Sequence, residues 1–315
     1  MSTTDQRDRA TGPASPATGR APGAPSLLRA VGAAVDPRLT ARLRRIRRQD
    51  ELLAGQLRRG HIAVLGFTPH TGGSTVTALL ARICADLRGP RALAVDADPA
   101  GGLFHRLGGR PGGTAAEVLL ALGIRTPAPG MPIRPGHRWL RRQLTVTQTG
   151  PLLLAGDPGA GPAPFTRPGE YAATLPRLRR WFPLLVVDTP KGAASPATWE
   201  IVTTADHVVV VGTPDPHSLD WLRQGIGWLV RSTGRSSAGR ISCAIVDVRR
   251  DGGSAAAQRR SAHEAVRVPV VTIPYDRALA RSGPLAWHLV GLETRRCARE
   301  LAATVATALT IGPVR

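Results

Sequence analysis

The chain lacks the features that would place it in a membrane or an oxidising compartment. In its 315 residues, no apolar run reaches the roughly 18 to 20 residues that a membrane-spanning helix needs. The polar N-terminus lacks the apolar core of a secretory signal. Cys84, Cys243 and Cys297 are far apart and lack the spacing of metal ligands, so they indicate neither disulfides nor a zinc site. We therefore expect a cytoplasmic protein with buried thiols.

Lysine is almost absent as well. Lys191 is the only lysine among 42 basic residues, and the arginines bring the formal net charge to +20. Such a charge favours association with polyanions, which include nucleic acid, anionic lipid and acidic protein surfaces. It indicates a class of partner without choosing one, so direct nucleic-acid binding stays open as a function.

Two segments precede the main body of the chain. Residues 1–35 consist mainly of Ala, Pro, Gly, Ser and Thr, which cannot bury enough apolar surface to offset ordering entropy, so they predict a disordered tail. Residues 36–60 predict a basic amphipathic helix, whose apolar stripe is interrupted by Asp50 and whose other face carries arginines from Arg42 to Arg59. Either this helix docks on its own domain, or its arginine face binds an anionic membrane, nucleic acid or a partner protein.

From residue 61 to residue 315, short β-rich apolar runs alternate with helical stretches. This alternation predicts an α/β domain in which a mainly parallel sheet of seven or eight strands carries helices on both faces. Strands are predicted at residues 62–67, 92–96, 152–155, 184–188, 207–211, 241–246 and 268–273. Helices are predicted at residues 74–87, 114–122, 171–181, 195–204, 218–231, 254–265 and 292–309. Residues 126–142, rich in Pro, Gly and Arg, predict a long surface loop.

A loop of small residues connects the first predicted strand to a helix. Residues 68–77 read T-P-H-T-G-G-S-T-V-T, and such a strand, loop and helix N-terminus turn backbone N–H groups toward an anion. Glycines at this kind of turn also occur for packing reasons alone. The candidate nucleotide-binding residues in the loop are Gly72, Gly73, Ser74, Thr75 and Val76.

The loop departs from the P-loop pattern G-x-x-x-x-G-K-[ST] at its cation. When Gly73 is aligned with the last glycine, Ser74 stands at the lysine and Thr75 at the Mg²⁺-binding hydroxyl. A serine donates one neutral hydrogen bond, and charge-assisted bonds are about twice as strong as neutral ones. We therefore expect nucleotide binding to be weaker by roughly 2 to 4 kcal/mol than with the lysine present.

Aspartates end two of the predicted strands. Residues 94–102 read A-V-D-A-D-P-A-G-G, and residues 184–190 read L-L-V-V-D-T-P. Ligands bind at the carboxyl ends of the strands of such sheets, so Asp188 is a candidate site residue. Asp98, followed by Pro99, is either a site residue or the cap of a turn.

Taken together and in this order, these segments resemble the ParA/MinD-type deviant P-loop ATPases of the SIMIBI class, over about residues 61–310. The matching segments are D-x-D-P-x-G at 96–101, the apolar strand with D-T-P at 184–190, A-D-x-V at 205–208 and I-P-x-D at 273–276. The loop is a degenerate form of the family's Walker A loop, because Pro69 also replaces the family's signature lysine. The resemblance implies a P-loop NTPase fold, a homodimer, and ATP with Mg²⁺ as the ligand.

The same resemblance implies roles for single residues. Asp98 would be catalytic, orienting the attacking water, while Asp188 would hold Mg²⁺ through water together with Thr75. Asp247 stands where the family often has an adenine-reading Asn, and Pro274 belongs to a turn that lies beside the base in relatives.

Lys191 follows D-T-P directly. The resemblance implies that this segment carries a switch that approaches the γ-phosphate, so the Lys191 ammonium is a candidate to replace the charge missing from the loop. The alternative is that Lys191 is one more surface cation of a very basic chain.

Three functions follow from these observations. The favoured one is a pseudo-ATPase or weak adenine-nucleotide-binding protein that acts as a positioning or recruitment factor for cell division, partitioning, pilus or secretion machinery. Its partner would be a protein of that machinery, and residues 42–59 would allow peripheral association with the membrane or nucleoid. The alternatives are an active ATP-driven dimerisation switch and a nucleic-acid-binding protein. Hydrolysis is expected to be absent or very slow, since no loop lysine stabilises the charge that develops on the transferred phosphoryl group.

Overall fold

A computed structural model describes residues 48, 50–110, 112–125, 136–155, 167–193, 195–234, 237–249, 264 and 266–311. The chain divides into two compact units, residues 1–47 and 48–315, and all described residues belong to the second. The predicted tail and most of the predicted basic helix therefore lie outside the described residues, as does nearly all of the helix predicted at residues 254–265.

The second unit is built on one eight-stranded sheet, with the order β3-β4-β2-β5-β1-β6-β7-β8. Neighbouring strands are parallel except for β3, which runs antiparallel to β4 at one edge. The prediction of a mainly parallel sheet of seven or eight strands is confirmed. The strands are β1 Gly60–Gly66, β2 Ala92–Asp96, β3 Thr145–Val146, β4 Leu152–Leu154, β5 Leu184–Asp188, β6 His207–Gly212, β7 Ile241–Val246 and β8 Val270–Ile273.

Helices cover both faces of the sheet. Successive residues of β1 are buried in different clusters, Ile62 and Val64 on one face and Ala63 and Leu65 on the other, so the strand reads as a continuous apolar run. The face of Ile62 is covered by α1, α2 and α11, and the opposite face by α4, α6, α7 and α8. The helices are α1 at residues 50–56, α2 Gly73–Arg88, α3 Gly102–Leu107, α4 Ala115–Ala121, α5 His137–Gln143, α6 Glu170–Leu178, α7 Pro196–Thr204, α8 Pro216–Thr233, α9 Ser237–Arg240, α10 Arg277–Ala280 and α11 Leu292–Ile311, with 3₁₀ turns at Gly89–Arg91 and Trp287–Leu289.

The prediction of a loop over residues 126–142 is wrong for its last part. Residues 137–142 belong to α5, which is held by the full burial of Leu140 against the core and the partial burial of Trp139. The antiparallel strand β3 was not predicted either, because two residues are too short to show a periodic pattern.

Helix α1 is the described end of the predicted basic helix, and it packs against the rest of the second unit. Leu53 and Leu57 are buried in the core, whereas Leu52 is 63% exposed. Asp50, which interrupts the apolar stripe, accepts a hydrogen bond from Arg299 of α11 at 3.3 Å. This part of the segment therefore docks as one of the two interpretations expects. Among the described helices, none is long and apolar enough to cross a membrane.

Candidate nucleotide site

The loop after β1 ends where α2 begins at Gly73. Gly72 caps the helix with a φ of +87°, a left-handed conformation that favours glycine. The Val76 N–H donates to the Gly72 carbonyl at 2.9 Å, so the N–H groups before Val76 lack helical acceptors. No acidic side chain occupies the first turn of α2. The N-terminus of α2 can therefore bind an anion, as the loop sequence predicts.

Gly73, Ser74 and Thr75, which the alignment places at the P-loop positions, have different neighbours in the structure. A Cβ atom added to Gly73 would lie 3.6 Å from Lys191 Nζ and 4.0 Å from Asp188 Oδ1. Ser74 lies beside Asp188 and Gly102, whereas Thr75 lines a neighbouring cavity. Position 73 therefore lies beside the ammonium.

Val76 is directed away from this site, and its N–H already donates to the Gly72 carbonyl. Its side chain is fully buried in the core beneath α2, so no atom of that side chain faces the loop. Of the five loop residues proposed from the sequence, the other four lie at the cavity or at the acidic cluster described next.

Asp188 is the buried centre of an acidic cluster. It ends β5 directly beside Asp96, the last residue of β2, and it is completely shielded from solvent. Its Oδ1 accepts a hydrogen bond from Thr77 Oγ1 at 3.0 Å, and its Oδ2 has no partner among the described residues. Burial raises the pKa of Asp188, while the Lys191 ammonium and the hydroxyls of Ser74 and Thr77 oppose that shift.

Lys191 supplies the positive charge of the cluster. Its Nζ donates to Asp98 Oδ2 at 2.7 Å. The backbone on either side of it is fixed to β1, since the Thr189 N–H donates to Val64 O at 3.1 Å and the Gly192 N–H to Gly66 O at 2.9 Å. Burial lowers the pKa of Lys191, but the carboxylates of Asp188 and Asp98 outweigh burial and raise it, so the side chain remains an ammonium. The position of β5 beside β1 thus brings this lysine to the loop.

Asp98 makes two kinds of contact, a turn cap and an ion pair with Lys191. Its Oδ1 accepts from the Ala100 N–H at 3.1 Å, which caps the turn after β2, and its Oδ2 holds Lys191. The turn continues through Gly101, whose φ is +65°, to Gly102, where an added Cβ would collide with the Ser74 hydroxyl. The acidic turn and the loop are therefore in direct contact.

Asp96 organises this turn and was not proposed as a site residue. It accepts hydrogen bonds from the Phe104 N–H at 2.8 Å and from the Asp98 N–H at 3.3 Å. Burial and the neighbouring Asp188 raise the pKa of Asp96 to about 8. The first aspartate of D-x-D was the signal that could have identified it.

A cavity of about 310 Å³ opens beside the loop. Three predicted residues, Gly72, Thr75 and Asp247, line it, but from the I-P-x-D turn the lining comes from Tyr275 and Asp276 and not from Pro274. Residues that were not proposed from the sequence also line it, namely His70, Arg106, Tyr275 and Asp276. No sequence signal marked Arg106, which reaches the cavity from α3.

Several acidic residues of the matching segments act as caps. Asp206 accepts from the His61 N–H at 2.8 Å and pairs with Arg179 at 3.0 Å. Asp215 caps α8 by accepting from the Ser218 N–H at 2.9 Å. These contacts explain the residues by structure alone, without a ligand.

The residues present are compatible with Mg²⁺, although no cluster of three or more His, Cys, Asp or Glu side chains in the described part of the chain could hold a metal by itself. The buried, unpartnered Oδ2 of Asp188 is suited to a cation or to a water molecule held by one. Carboxylate and hydroxyl oxygens are the ligands that Mg²⁺ prefers. The Thr77 hydroxyl donates to Asp188, and the Ser74 side chain lies nearby.

Comparison with solved structures shows that the chain has the fold of ParA/MinD-type ATPases. The chain superposes on a ParA family ATPase from Chlorobium tepidum TLS with a TM-score of 0.61 and 16% identity, covering 78% of this chain and 99% of that one. For the cell division ATPase MinD of Pyrococcus furiosus the TM-score is 0.58 with 19% identity, covering 78% and 97%. MinD of Pyrococcus horikoshii OT3, solved with Mg-ADP, gives 0.54 and 18%, covering 81% and 98%. The chain therefore has the ParA/MinD-type P-loop fold.

One protein is similar in sequence. The chain is 25% identical over 249 residues to the ESX-1 secretion-associated protein EspI of Mycobacterium tuberculosis, found in two strains. The match covers 78% of this chain but only 36% of EspI, so the chain spans about a third of that protein's length. No protein-family model matches the chain.

Proposed function

We propose that this protein is a weak nucleotide-binding member of the ParA/MinD type that works as a recruitment scaffold rather than as an efficient ATPase. The observation that carries the proposal is the position of Lys191, whose ammonium faces the side of Gly73 where a loop side chain is missing. The nucleotide that the family resemblance implies is ATP. The Mg-ADP held by MinD of Pyrococcus horikoshii OT3 supports a nucleotide with Mg²⁺ in a site of this fold.

Lys191 would replace the loop lysine in space. Position 73 faces the acidic cluster, and glycine leaves room there for an ammonium that arrives from the loop after β5. The first-turn N–H groups of α2 and this single cation would together bind the phosphates. Gly72, Ser74 and Thr75 would contribute through their backbone and hydroxyl groups.

The same geometry explains why binding would be weak. Lys191 is already paired with Asp98 at 2.7 Å, so a phosphate must compete with a carboxylate for the ammonium. Mg²⁺, if bound with the nucleotide, would lie near Asp188 and the Ser74 hydroxyl and would offset phosphate charge. The chain would thereby retain a nucleotide-dependent conformation with modest affinity.

The protein would act by recruiting another protein. The similarity to a secretion-associated protein supports a secretion system over partitioning, cell division or pilus machinery, with a protein partner of that system and a homodimer as the working form. Residues 42–59 provide a basic segment for peripheral contact with a membrane, the nucleoid or that partner. Because Asp98 and Asp188 are both present, an active ATP-driven dimerisation switch is the second candidate.

A calorimetric titration of the full chain with ATP and Mg²⁺ tests the proposal. We expect measurable binding that Lys191→Ala weakens by about 1 to 3 kcal/mol, because a charge-assisted contact to phosphate is lost. Lys191→Arg should restore binding incompletely, since the guanidinium is bulkier and differently shaped. Gly73→Lys in the Lys191→Ala background should also recover affinity, because it returns a cation to the same space.

Arg91→Ala is the matched control, since it also removes one exposed positive charge but lies before β2, at the other end of the strand from Asp96. This variant should bind as the wild type does. Equal affinity in the wild type and Lys191→Ala, or no binding in either, would contradict the proposal and leave a scaffold without a nucleotide.

A further inference from the structure

The cavity beside the loop has walls suited to a planar, partly polar ligand. Its volume of about 310 Å³ lies at the lower end of the roughly 300 to 1,000 Å³ typical of small-molecule sites. Val246, Val248 and Leu279 provide apolar surface, and Tyr275 provides an aromatic ring. Gly72 and Thr75 form its border with the start of α2, so a ligand whose phosphates lay at the N-terminus of that helix would have room for its base in this cavity.

Two of the charged side chains in the cavity wall are already engaged. Both carboxylate oxygens of Asp276 accept backbone N–H groups, from Ala278 and from Gly291, each at 2.8 Å. The Arg106 guanidinium donates to the carbonyls of Leu279, at 2.9 Å, and Arg281. These contacts hold α3 and α10 in place before any ligand binds.

Asp247 differs from them because one of its oxygens is uncommitted. The residue follows β7, and its N–H donates to Ile273 O at 2.9 Å, which fixes its position against β8. Its Oδ1 accepts from the Arg249 N–H at 3.0 Å, while no described residue donates to Oδ2. The side chain is half-buried at the cavity. As an ionised carboxylate it can only accept hydrogen bonds.

We infer that Asp247 makes this cavity selective for guanine over adenine nucleotides. Guanine presents two adjacent donors, N1–H and the N2 amino group, which match a carboxylate in a charge-assisted pair. The corresponding edge of adenine has a donor at N6 but an acceptor at N1, and this acceptor would face a second acceptor. Sites built around a hydrogen bond discriminate strongly against a ligand that leaves it unpaired. The inference rests on the proposed nucleotide site and specifies its base.

Parallel titrations of the full chain with GDP, ADP and XDP, each with Mg²⁺, test this selectivity. The wild type should bind GDP at least about tenfold more tightly than ADP. Asp247→Asn should abolish that preference and favour XDP, because an amide donates to the C2 carbonyl oxygen of xanthine where the carboxylate cannot. Asp220→Asn, which neutralises an exposed aspartate of α8, should keep the wild-type order.

The results separate the selectivity from the nucleotide site itself. If the wild type binds ADP as tightly as GDP or more tightly, the selectivity is overturned while the nucleotide site stands. An unchanged GDP preference in folded Asp247→Asn overturns the role of Asp247. If neither ADP nor GDP binds, both the selectivity and the proposed function fail. The wild-type ratio of affinities is decisive even if the variant does not fold.

Discussion

The proposed replacement of a loop lysine by Lys191 depends on single residues that are distant in sequence. The sequence could predict that Lys191 faces the site, because Lys191 follows D-T-P and β5 ends at the carboxyl edge of the sheet. The residue at which α2 begins could not be predicted, because two adjacent glycines allow the helix to start at either one. This start determines which loop residue faces the ammonium. The helix begins at Gly73, and side-chain direction follows from that start.

Hydrolysis depends on the same residues. We expect the purified protein with ATP and Mg²⁺ to release no more phosphate than Asp188→Ala does. The reason is that Asp98 is paired with Lys191, and one shared cation cannot fully stabilise the charge developing on the phosphoryl group. A phosphate-release assay over several hours measures this. Turnover similar to that of ordinary P-loop ATPases, lost in Asp188→Ala, would instead establish the active switch.

Other aspartates in the matching segments show that a motif match does not by itself identify a ligand-binding residue. Asp206, Asp215 and Asp276 lie in segments that resemble the family, yet each accepts backbone N–H groups at a strand or helix end. In the sequence, an aspartate that caps a helix or strand cannot be distinguished from an aspartate that binds a ligand. Only the partners of its oxygens distinguish the two roles, and this is why Asp247 stands out.

At the scale of elements, apolar strands were predictable and short polar elements were not. Strands β2, β5 and β7 coincide with the predicted ranges, because buried parallel strands are continuous apolar runs bounded by polar residues. Helix α5 escaped prediction because its Arg-rich sequence has only Trp139 and Leu140 to pack inward. Tertiary packing, which local sequence does not display, decided the outcome there.

The docking of α1 allows a direct measurement of its contribution. Leu57→Ala should lower the free energy of unfolding by about 2 to 4 kcal/mol, because it leaves a cavity in the core. Leu52→Ala is the matched control, since Leu52 is in the same helix but largely exposed, and it should change stability by less than about 0.5 kcal/mol. Urea denaturation of both variants provides the comparison. Equal small effects would mean that α1 is not part of the cooperative unit.

At the scale of the whole molecule, the formal charge of +20 acts together with one localised basic segment. Charge spread over a surface attracts any polyanion weakly, whereas clustered arginines act within one Debye length, about 10 Å at moderate ionic strength. Dispersed and clustered arginines both attract polyanions, so total charge alone cannot identify a binding surface. Variants that change net charge equally but at different places can separate them.

The last prediction uses such a pair of variants. Changing Arg44, Arg45, Arg47 and Arg48 to Glu lowers the formal charge from +20 by eight. The same change at the exposed and scattered Arg91, Arg180, Arg231 and Arg267 lowers it equally. We expect the wild type to bind phosphatidylserine vesicles or duplex DNA at about 50 mM salt and to lose binding by about 300 mM, as counterion release requires.

The clustered variant should lose about tenfold more affinity than the scattered one, because neighbouring charges act together on one polyanion surface. Co-sedimentation with vesicles and fluorescence anisotropy with DNA measure the two surfaces separately, with phosphatidylcholine vesicles as the uncharged reference. Equal losses in both variants would mean that net charge alone drives association. If binding depends neither on salt nor on the clustered change, the arginines form the solvated face of a docked helix. Recruitment would then have to use another surface.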